Sequence, residues 1–490
     1  MRPGLWFPAA ALIATSAGWA LEAPAQQDSA LARRIDAIVD QAPLDRSHWG
    51  IEVWDPGSRR SLYQRDAHKH FIPASNLKLV VAAAATHLLG PAFQYRTTLH
   101  ATGPVRSGTL HGDLVLYGRG DPTIGGRYAA STSAIWEALA DTLRARGVQR
   151  VSGSLVADQS AWDTVHVHGD WSNYDLLWWY AAPTGALGFN DNSVDFHVRP
   201  GGAVGEPARI SAAPQTSGYT FENRTRTVAG GRPKTLDFER RPGTNQSYAY
   251  GEIPVDAAAR TEHFAVVSPA HYAGVALREA LERRGITLGT RDVRVVSDPG
   301  RSPAAGTTVL AEYRSPPLPQ LIGPVLQTSQ NWYAEQLLKT LGKERKGEGS
   351  WEAGLAVERD FLSQVVGVDT LAFVLRDASG LSAYNLITPH ALVQILDWAR
   401  RAPGGEVFRD ALPVAGQPGS LRARLTALPG RVRAKTGYIG NVDSLSGYVT
   451  LPDGRELVVS ILVNASGLPS SRVKAAIDEV VKTIAKGDVR

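Results

Sequence analysis

The spacing of apolar and polar positions changes character along the chain. Over residues 31–39 the apolar side chains fall at 31, 35, 38 and 39, the period of a short amphipathic helix. Two alternating runs follow at 50–55 and 61–65, and Pro56-Gly57 between them predicts a hairpin. Residues 77–89, opened by Pro73-Ala74-Ser75, are apolar on every side, which predicts a helix buried centrally in its domain. Between about 97 and 305 the texture becomes short alternating runs, such as 113–117, 194–198 and 235–239, separated by Gly, Pro and Asn; this region is mostly β. Helical patterns interrupt it at 133–147 and 270–285, each closing on Arg-Gly, and return at 331–341, 352–365 and 389–401. The chain ends in strands at 431–434, 444–450 and 456–463, then a helix whose buried stripe is Val473, Ile477, Val480, Val481 and Ile484. Helices near both ends around an antiparallel sheet, with a β-rich middle, predict a multi-domain α/β protein in which one domain is split by an insertion.

Composition narrows the chemistry. At 490 residues the chain has room for two to four domains. Cys is absent, which excludes disulfides, thiolate catalysis, Cys-ligated zinc and iron–sulfur clusters. The balance of Lys+Arg 52 against Asp+Glu 47 gives only +5, and there is no long basic run with interleaved aromatics, so no nucleic-acid partner is expected. Arg2 precedes an apolar stretch over 5–20, followed by small-residue sites at Gly18-Trp19-Ala20 and Ala23-Pro24-Ala25, the layout of a secretory signal over 1–25 cleaved near Ala25. That stretch, broken by Pro8 and Ser16, is short for a span, and no later one approaches about 18 apolar residues. The mature protein is therefore expected to be exported, without a membrane anchor.

No Gly-x-Ser-x-Gly occurs, so a serine enzyme here needs a base other than the α/β-hydrolase triad. Ser75-Asn76-Leu77-Lys78 puts a hydroxyl and an amine one helical turn apart on one face, with the serine at the N-terminal end. A buried lysine that loses its proton can activate that serine, and the helix N-terminus favours a developing oxyanion. Alone, the motif is weak and reads more readily as an N-cap serine beside a solvated lysine. Two further motifs change that reading: Ser329-Gln330-Asn331 at a helix start, and Lys435-Thr436-Gly437 on a strand before the C-terminal helix. Ser329 is placed to relay a proton to a leaving amine, and Asn331 to hold Lys78 or a substrate amide. Lys435 and Thr436 offer a cation and a hydroxyl to a carboxylate, while Gly437 allows close backbone approach.

With these three motifs in this order, the chain resembles the penicillin-binding proteins, and within them the exported D-alanyl-D-alanine carboxypeptidase/endopeptidases of class C, the penicillin-binding-protein-4 type (peptidase family S13). Ser75 and Ser329 are 254 residues apart, which matches the large insertion of this type. Further similar segments are 117–123, 331–335, 377–382 followed by Asn385, 412–416 and 444–448. The resemblance implies a penicilloyl-serine-transferase (β-lactamase-like) catalytic domain over 26–97 and 305–490, an inserted domain over 98–194 and 262–304, and a second β-rich insertion over 195–261. It implies peptidoglycan stem peptides as substrates, β-lactams as acylating inhibitors, a periplasmic location, and no cofactor or metal. Ser75 would attack the D-Ala-D-Ala or cross-link carbonyl with Lys78 as base, and Lys435 and Thr436 would bind the terminal carboxylate. The oxyanion hole would be the N–H groups of Ser75 and Tyr438, the latter standing where relatives carry Ser or Thr. Ala383 stands where some relatives have arginine. From the insertion, Asp158 and Trp162 would meet the peptide's side chain, although Asp158 at a strand end reads equally as a turn residue.

Other signals carry less. Gly118-Arg119-Gly120-Asp121-Pro122 starts like a nucleotide loop, but the proline and the missing third glycine make it a turn. His166, His168 and Asp170 have metal-like spacing without an extended zinc signature, and read as a polar loop. Trp178, Trp179 and Tyr180 suit either core packing or stacking on sugar or peptide. The competing functions are a non-catalytic wall-binding or penicillin-sensing protein, a β-lactamase or esterase on the same scaffold, and a solute-binding protein, which would not need the three motifs.

Overall fold

The computed structural model describes residues 29–241 and 243–487; the expected leader over 1–25 lies outside them. Its centre is a five-stranded antiparallel sheet in the order Arg60–Arg65, His48–Asp55, Glu456–Asn464, Val442–Thr450, Val432–Ile439. The strands Val442–Thr450 and Glu456–Asn464 are buried almost throughout because both faces of the sheet are covered, and in Glu456–Asn464 this shows as a nearly continuous apolar run. On one face, Leu31, Ile35 and Val39 of helix Ser29–Val39 and Val473, Ile477 and Val480 of helix Ser470–Ala485 pack on Trp49, Ile51, Val459 and Ile461. On the other, Val458 and Leu462, of opposite strand parity, face an all-helical layer. Helix Lys78–Leu88 sits inside that layer against helices Leu318–Leu326 and Asn331–Lys346, which is why it is apolar all round. The multi-domain α/β architecture is the one the sequence pattern predicts.

The middle of the chain builds a second five-stranded sheet in the order Val293–Val296, Leu155–Asp158, Leu114–Tyr117, Arg96–Ala101, Thr308–Arg314. Its first three strands run parallel, with helices Ala134–Ala145 and Pro269–Arg283 closing a core around Trp136, Leu143, Tyr272 and Leu277. Parallel pairing explains why Leu114–Tyr117 and Leu155–Asp158 are buried on both faces rather than alternating. The strand Thr308–Arg314, assigned from sequence to the catalytic body, instead pairs along Arg96–Ala101 in this inserted sheet. A sheet of four two-residue strands, Thr287–Leu288, Arg150–Val151, Thr109–Leu110 and Val105–Arg106, and two three-stranded sheets complete the insertion, the latter two joined through the rings of Phe196, Phe221, Phe238 and Phe264. Among the described residues no helix is long and apolar enough to cross a membrane.

Candidate active site

Ser75 lies in a single 3-10 turn, Ala74–Leu77, that runs directly into helix Lys78–Leu88. The turn sits on the loop that carries Gly380, whose φ is +79° and where a Cβ would stand 1.9 Å from the Ala74 carbonyl oxygen. Only glycine permits that approach. Lys78 Nζ donates to Ser75 Oγ at 2.8 Å, to Asn331 Oδ1 at 2.7 Å and to the Ser379 carbonyl at 2.6 Å. The amine is fully buried, and loss of solvent pushes it down to about 7 although the charges of Asp377 and Glu335 pull the other way. A neutral Lys78 keeps two N–H bonds, to Asn331 and Ser379, and turns its lone pair to the Ser75 hydroxyl. That is the arrangement a general base for serine requires.

The Ser379 carbonyl is aimed by a buried acidic pair. Glu335, one turn beyond Asn331 on helix Asn331–Lys346, accepts from the Ser379 N–H at 2.8 Å, the Ala378 N–H at 3.2 Å and Trp351 Nε1 at 2.8 Å. Burial pushes its carboxyl up to about 7, and the neighbouring Asp377 adds to the rise. Asp377 accepts from the N–H groups of Gly380 and Ser382, from Asn385 Nδ2 and from Trp171 Nε1. Sequence reasoning assigned no role to Glu335 or Asp377. The available signal was the four-residue spacing from Asn331, which puts Glu335 on the same helix face.

The opposite wall comes from the sheet's edge strand Val432–Ile439 and from Ser329, which has φ +60° just before its helix. Lys435 Nζ donates to Ser329 Oγ at 2.8 Å and to the Thr436 carbonyl at 2.7 Å. It too is fully buried, and burial together with the charge of Lys78 pushes its ammonium well down. Thr436 Oγ1 donates to Ser420 Oγ at 2.8 Å, a partner the sequence did not single out. A Cβ on Gly437 would lie 2.9 Å from the Ser75 nitrogen, so the strand passes directly over the nucleophile's backbone. The Ala434 N–H points off the sheet to the Pro413 carbonyl at 2.9 Å; by strand alternation the N–H groups of Thr436 and Tyr438 face the same way. The Tyr438 N–H thereby points away from the sheet, and Tyr438 lines the same cleft as Ser75. Its ring is 56% exposed and lies 4.7 Å from Lys474 Nζ.

The resulting cleft, about 740 Å³, brings Ser75, Ser329, Asn331, Thr436, Gly437 and Tyr438 together, with Lys78 and Lys435 forming its buried floor. Ala383 lines it as well, and so do Asp170, Trp179 and Tyr180 from the insertion. Asn331 Nδ2 donates to the Tyr180 carbonyl at 2.7 Å, which ties the two parts together at the site. Trp178 instead stacks on Phe264 at 5.0 Å as core packing. Two sequence-selected residues do not join the cleft. Asp158 is fully buried, its carboxylate consumed by the Ser160 N–H and the Ser302 hydroxyl. Trp162, 1% exposed, is wedged between Gly120 and Gly349, where a Cβ on either would meet its ring at 2.0 and 2.1 Å. Neither presents surface to a substrate, and their substrate-binding assignment is corrected. His166 and His168 turn to different partners, the Thr184 carbonyl at 2.8 Å and the Trp351 ring at 5.3 Å.

The model of the D-Ala-D-Ala carboxypeptidase 3 (S13) family matches residues 31–484. The chain is 37% identical over 450 residues to the D-alanyl-D-alanine carboxypeptidase of Actinomadura sp. (strain R39), covering 89% of this chain and 81% of that one. Among solved structures, penicillin binding protein 4 from Haemophilus influenzae superposes with a TM-score of 0.79 at 22% identity, covering 92% of this chain and 98% of its own. The same Haemophilus protein has been solved complexed with a novel β-lactam, at a TM-score of 0.75. On the span of the family match and the identity to the Actinomadura enzyme, this chain belongs to the D-Ala-D-Ala carboxypeptidase 3 (S13) family.

Proposed function

We propose that the cleft hydrolyses D-Ala-D-Ala termini, and D-Ala-diaminopimelate cross-links, of peptidoglycan stem peptides through an acyl-Ser75 intermediate. Family membership makes the chain a serine D-Ala-D-Ala carboxypeptidase of the penicillin-binding type; the residue roles are our reading. The observation that carries them is the buried Lys78 Nζ within hydrogen-bond reach of Ser75 Oγ. Neutral Lys78 takes the hydroxyl proton as Oγ bonds to the scissile carbonyl carbon. The N–H groups of Ser75 and Tyr438 hold the oxyanion. A terminal carboxylate lies against Thr436 and Lys435, and its charge draws Lys435 back to the ammonium form. As the C–N bond breaks, the Ser329 hydroxyl passes a proton to the leaving amine and is resupplied from Lys435. Water then adds to the ester carbonyl; as the C–O bond to Ser75 breaks, Lys78 returns its proton to Ser75 Oγ, and the proton given up by the water restores Lys435. A β-lactam follows the same first step, but its amine stays tethered, so the ester persists.

The leader pattern over 1–25 supports export to the periplasm, where such peptides lie. The separate sheets support a catalytic body split by inserted domains, with the second seam moved towards 315 by the Thr308–Arg314 pairing. The test is release of D-alanine from a stem pentapeptide by the purified chain and by its Ser75→Ala variant. Release by wild type alone is the expected result; release by both would remove Ser75 from the reaction.

A further inference from the structure

A separate pocket of about 270 Å³ opens next to the cleft and shares Trp179 and Thr328 with it. Asn190 and Asp191 line it, and they belong to an unusual backbone: Asn190, Asp191 and Asn192 all have φ between +50° and +54°. Three consecutive non-glycine residues in the left-handed region persist only where surroundings hold them, and such segments concentrate at functional sites. Here the Asn192 side chain accepts from the Phe189 N–H and donates to the Pro183 carbonyl. The run places Asp191 in the pocket, where its carboxylate accepts from Arg127 at 2.7 Å and from Gln330 Nε2 at 3.0 Å. Across from it, His263 Nδ1 lies 2.6 Å from Asp195 Oδ1 and its ring meets the Trp179 edge. The pocket therefore displays the Arg127–Asp191 ion pair, the hydrogen-bonded His263–Asp195 pair, peptide-like donors and acceptors, and the Trp179 indole.

The position of Ser329 decides what this pocket meets. The leaving nitrogen must come within reach of the Ser329 hydroxyl, and both neighbours of that residue, Thr328 and Gln330, form pocket wall. Whatever hangs from the leaving amine, other than the carboxylate held at Thr436, continues into it. From a monomeric pentapeptide that substituent is a methyl group, too short to reach. From a cross-linked dimer it is the side chain of a diamino acid followed by a second stem peptide, with amides and carboxylates to match Arg127, His263 and Gln330.

We propose that this pocket is the leaving-group subsite for the second stem peptide of a cross-linked dimer, and hence the determinant of endopeptidase over carboxypeptidase action. The assignment rests on the DD-peptidase reading above. The test compares the full mature chain with Arg127→Ala and His263→Gln on two purified substrates, a cross-linked muropeptide dimer and a monomeric pentapeptide, with the rate of acylation by a fluorescent penicillin as the check on folding and on Ser75. The expected result is a loss of about tenfold in kcat/KM for the dimer in each variant, with monomer cleavage and acylation within about twofold of wild type. Parallel losses on both substrates, unchanged dimer cleavage, or a wild type that cleaves monomer but not dimer would each overturn the subsite. A wild type that neither binds penicillin nor releases D-alanine would instead overturn the DD-peptidase reading itself.

Discussion

Lys78 Nζ lies 2.8 Å from Ser75 Oγ, one turn further along the same helical segment, in a pocket that excludes solvent from the amine. Because burial brings that amine down to about 7, its protonation controls the nucleophile in the neutral range. Below that pH Lys78 is an ammonium and cannot accept the serine proton. Acylation by penicillin is therefore expected to fall about tenfold per pH unit below about 7 and to level off above it. Lys78→Ala should lower the plateau by about 10²–10⁴-fold. A rate independent of pH between 5 and 8 would contradict Lys78 as the base.

Glu335 acts on the same proton from behind. Its charge favours the ammonium form of Lys78, so Glu335→Gln, which removes the charge but keeps an acceptor for the Ser379 N–H, should move the acid limb of the acylation profile to lower pH. Glu335→Ala leaves the N–H groups of Ala378 and Ser379 and the Trp351 indole unpartnered in the interior, at a cost of about 1–3 kcal/mol for each group left so. The first variant is read by the pH profile, the second by thermal unfolding. An acid limb that stays in place in Glu335→Gln would separate Glu335 from the base.

Two adjacent residues on the edge strand should respond in opposite ways. Gly437→Ala puts a Cβ 2.9 Å from the Ser75 nitrogen and 2.2 Å from Ser444 Oγ, closing the gap that the oxyanion must enter. A loss of about 10²-fold or more in acylation is expected, the scale of removing one oxyanion donor. Tyr438→Ser keeps the backbone N–H and removes only an exposed ring. Penicillin acylation should stay within about threefold, while KM for stem peptides changes. Equal loss in both variants would show that the Tyr438 side chain, not its backbone, serves the reaction.

Trp162→Ala separates a buried structural indole from a substrate contact. Emptying a site that holds a 1%-exposed indole should cost about 3–5 kcal/mol of stability. KM for peptide should be unchanged wherever the variant remains folded. A raised KM with an unaltered unfolding temperature would return Trp162 to the substrate.

The catalytic body was legible in the sequence because its signals are local. The all-round apolar helix after Ser75, the one-turn spacing to Lys78 and the Lys435-Thr436-Gly437 strand each follow from a few neighbouring residues and survive folding. Family membership, read from the order of the three motifs, came through for the same reason. What stayed hidden depends on distant chain pairing. Leu155–Asp158 ends at a carboxylate whose partner, Ser302, is 144 residues away, so Asp158 looked available when it was already bonded. Thr308–Arg314 reads as a strand, but nothing in it names Arg96–Ala101 as its neighbour. Glu335 and Asp377 matter through backbone N–H groups they hold, and a one-dimensional pattern does not show which amides face which carboxylates.

The most direct measurement is the site of acylation. The mature chain is incubated with benzylpenicillin, digested, and the adduct located by peptide mass spectrometry, alongside Ser75→Ala. A single penicilloyl group on the peptide carrying Ser75, absent from the variant, is the result expected. An adduct on another residue, or none on folded wild-type protein that still hydrolyses the peptide, would contradict Ser75 as the nucleophile.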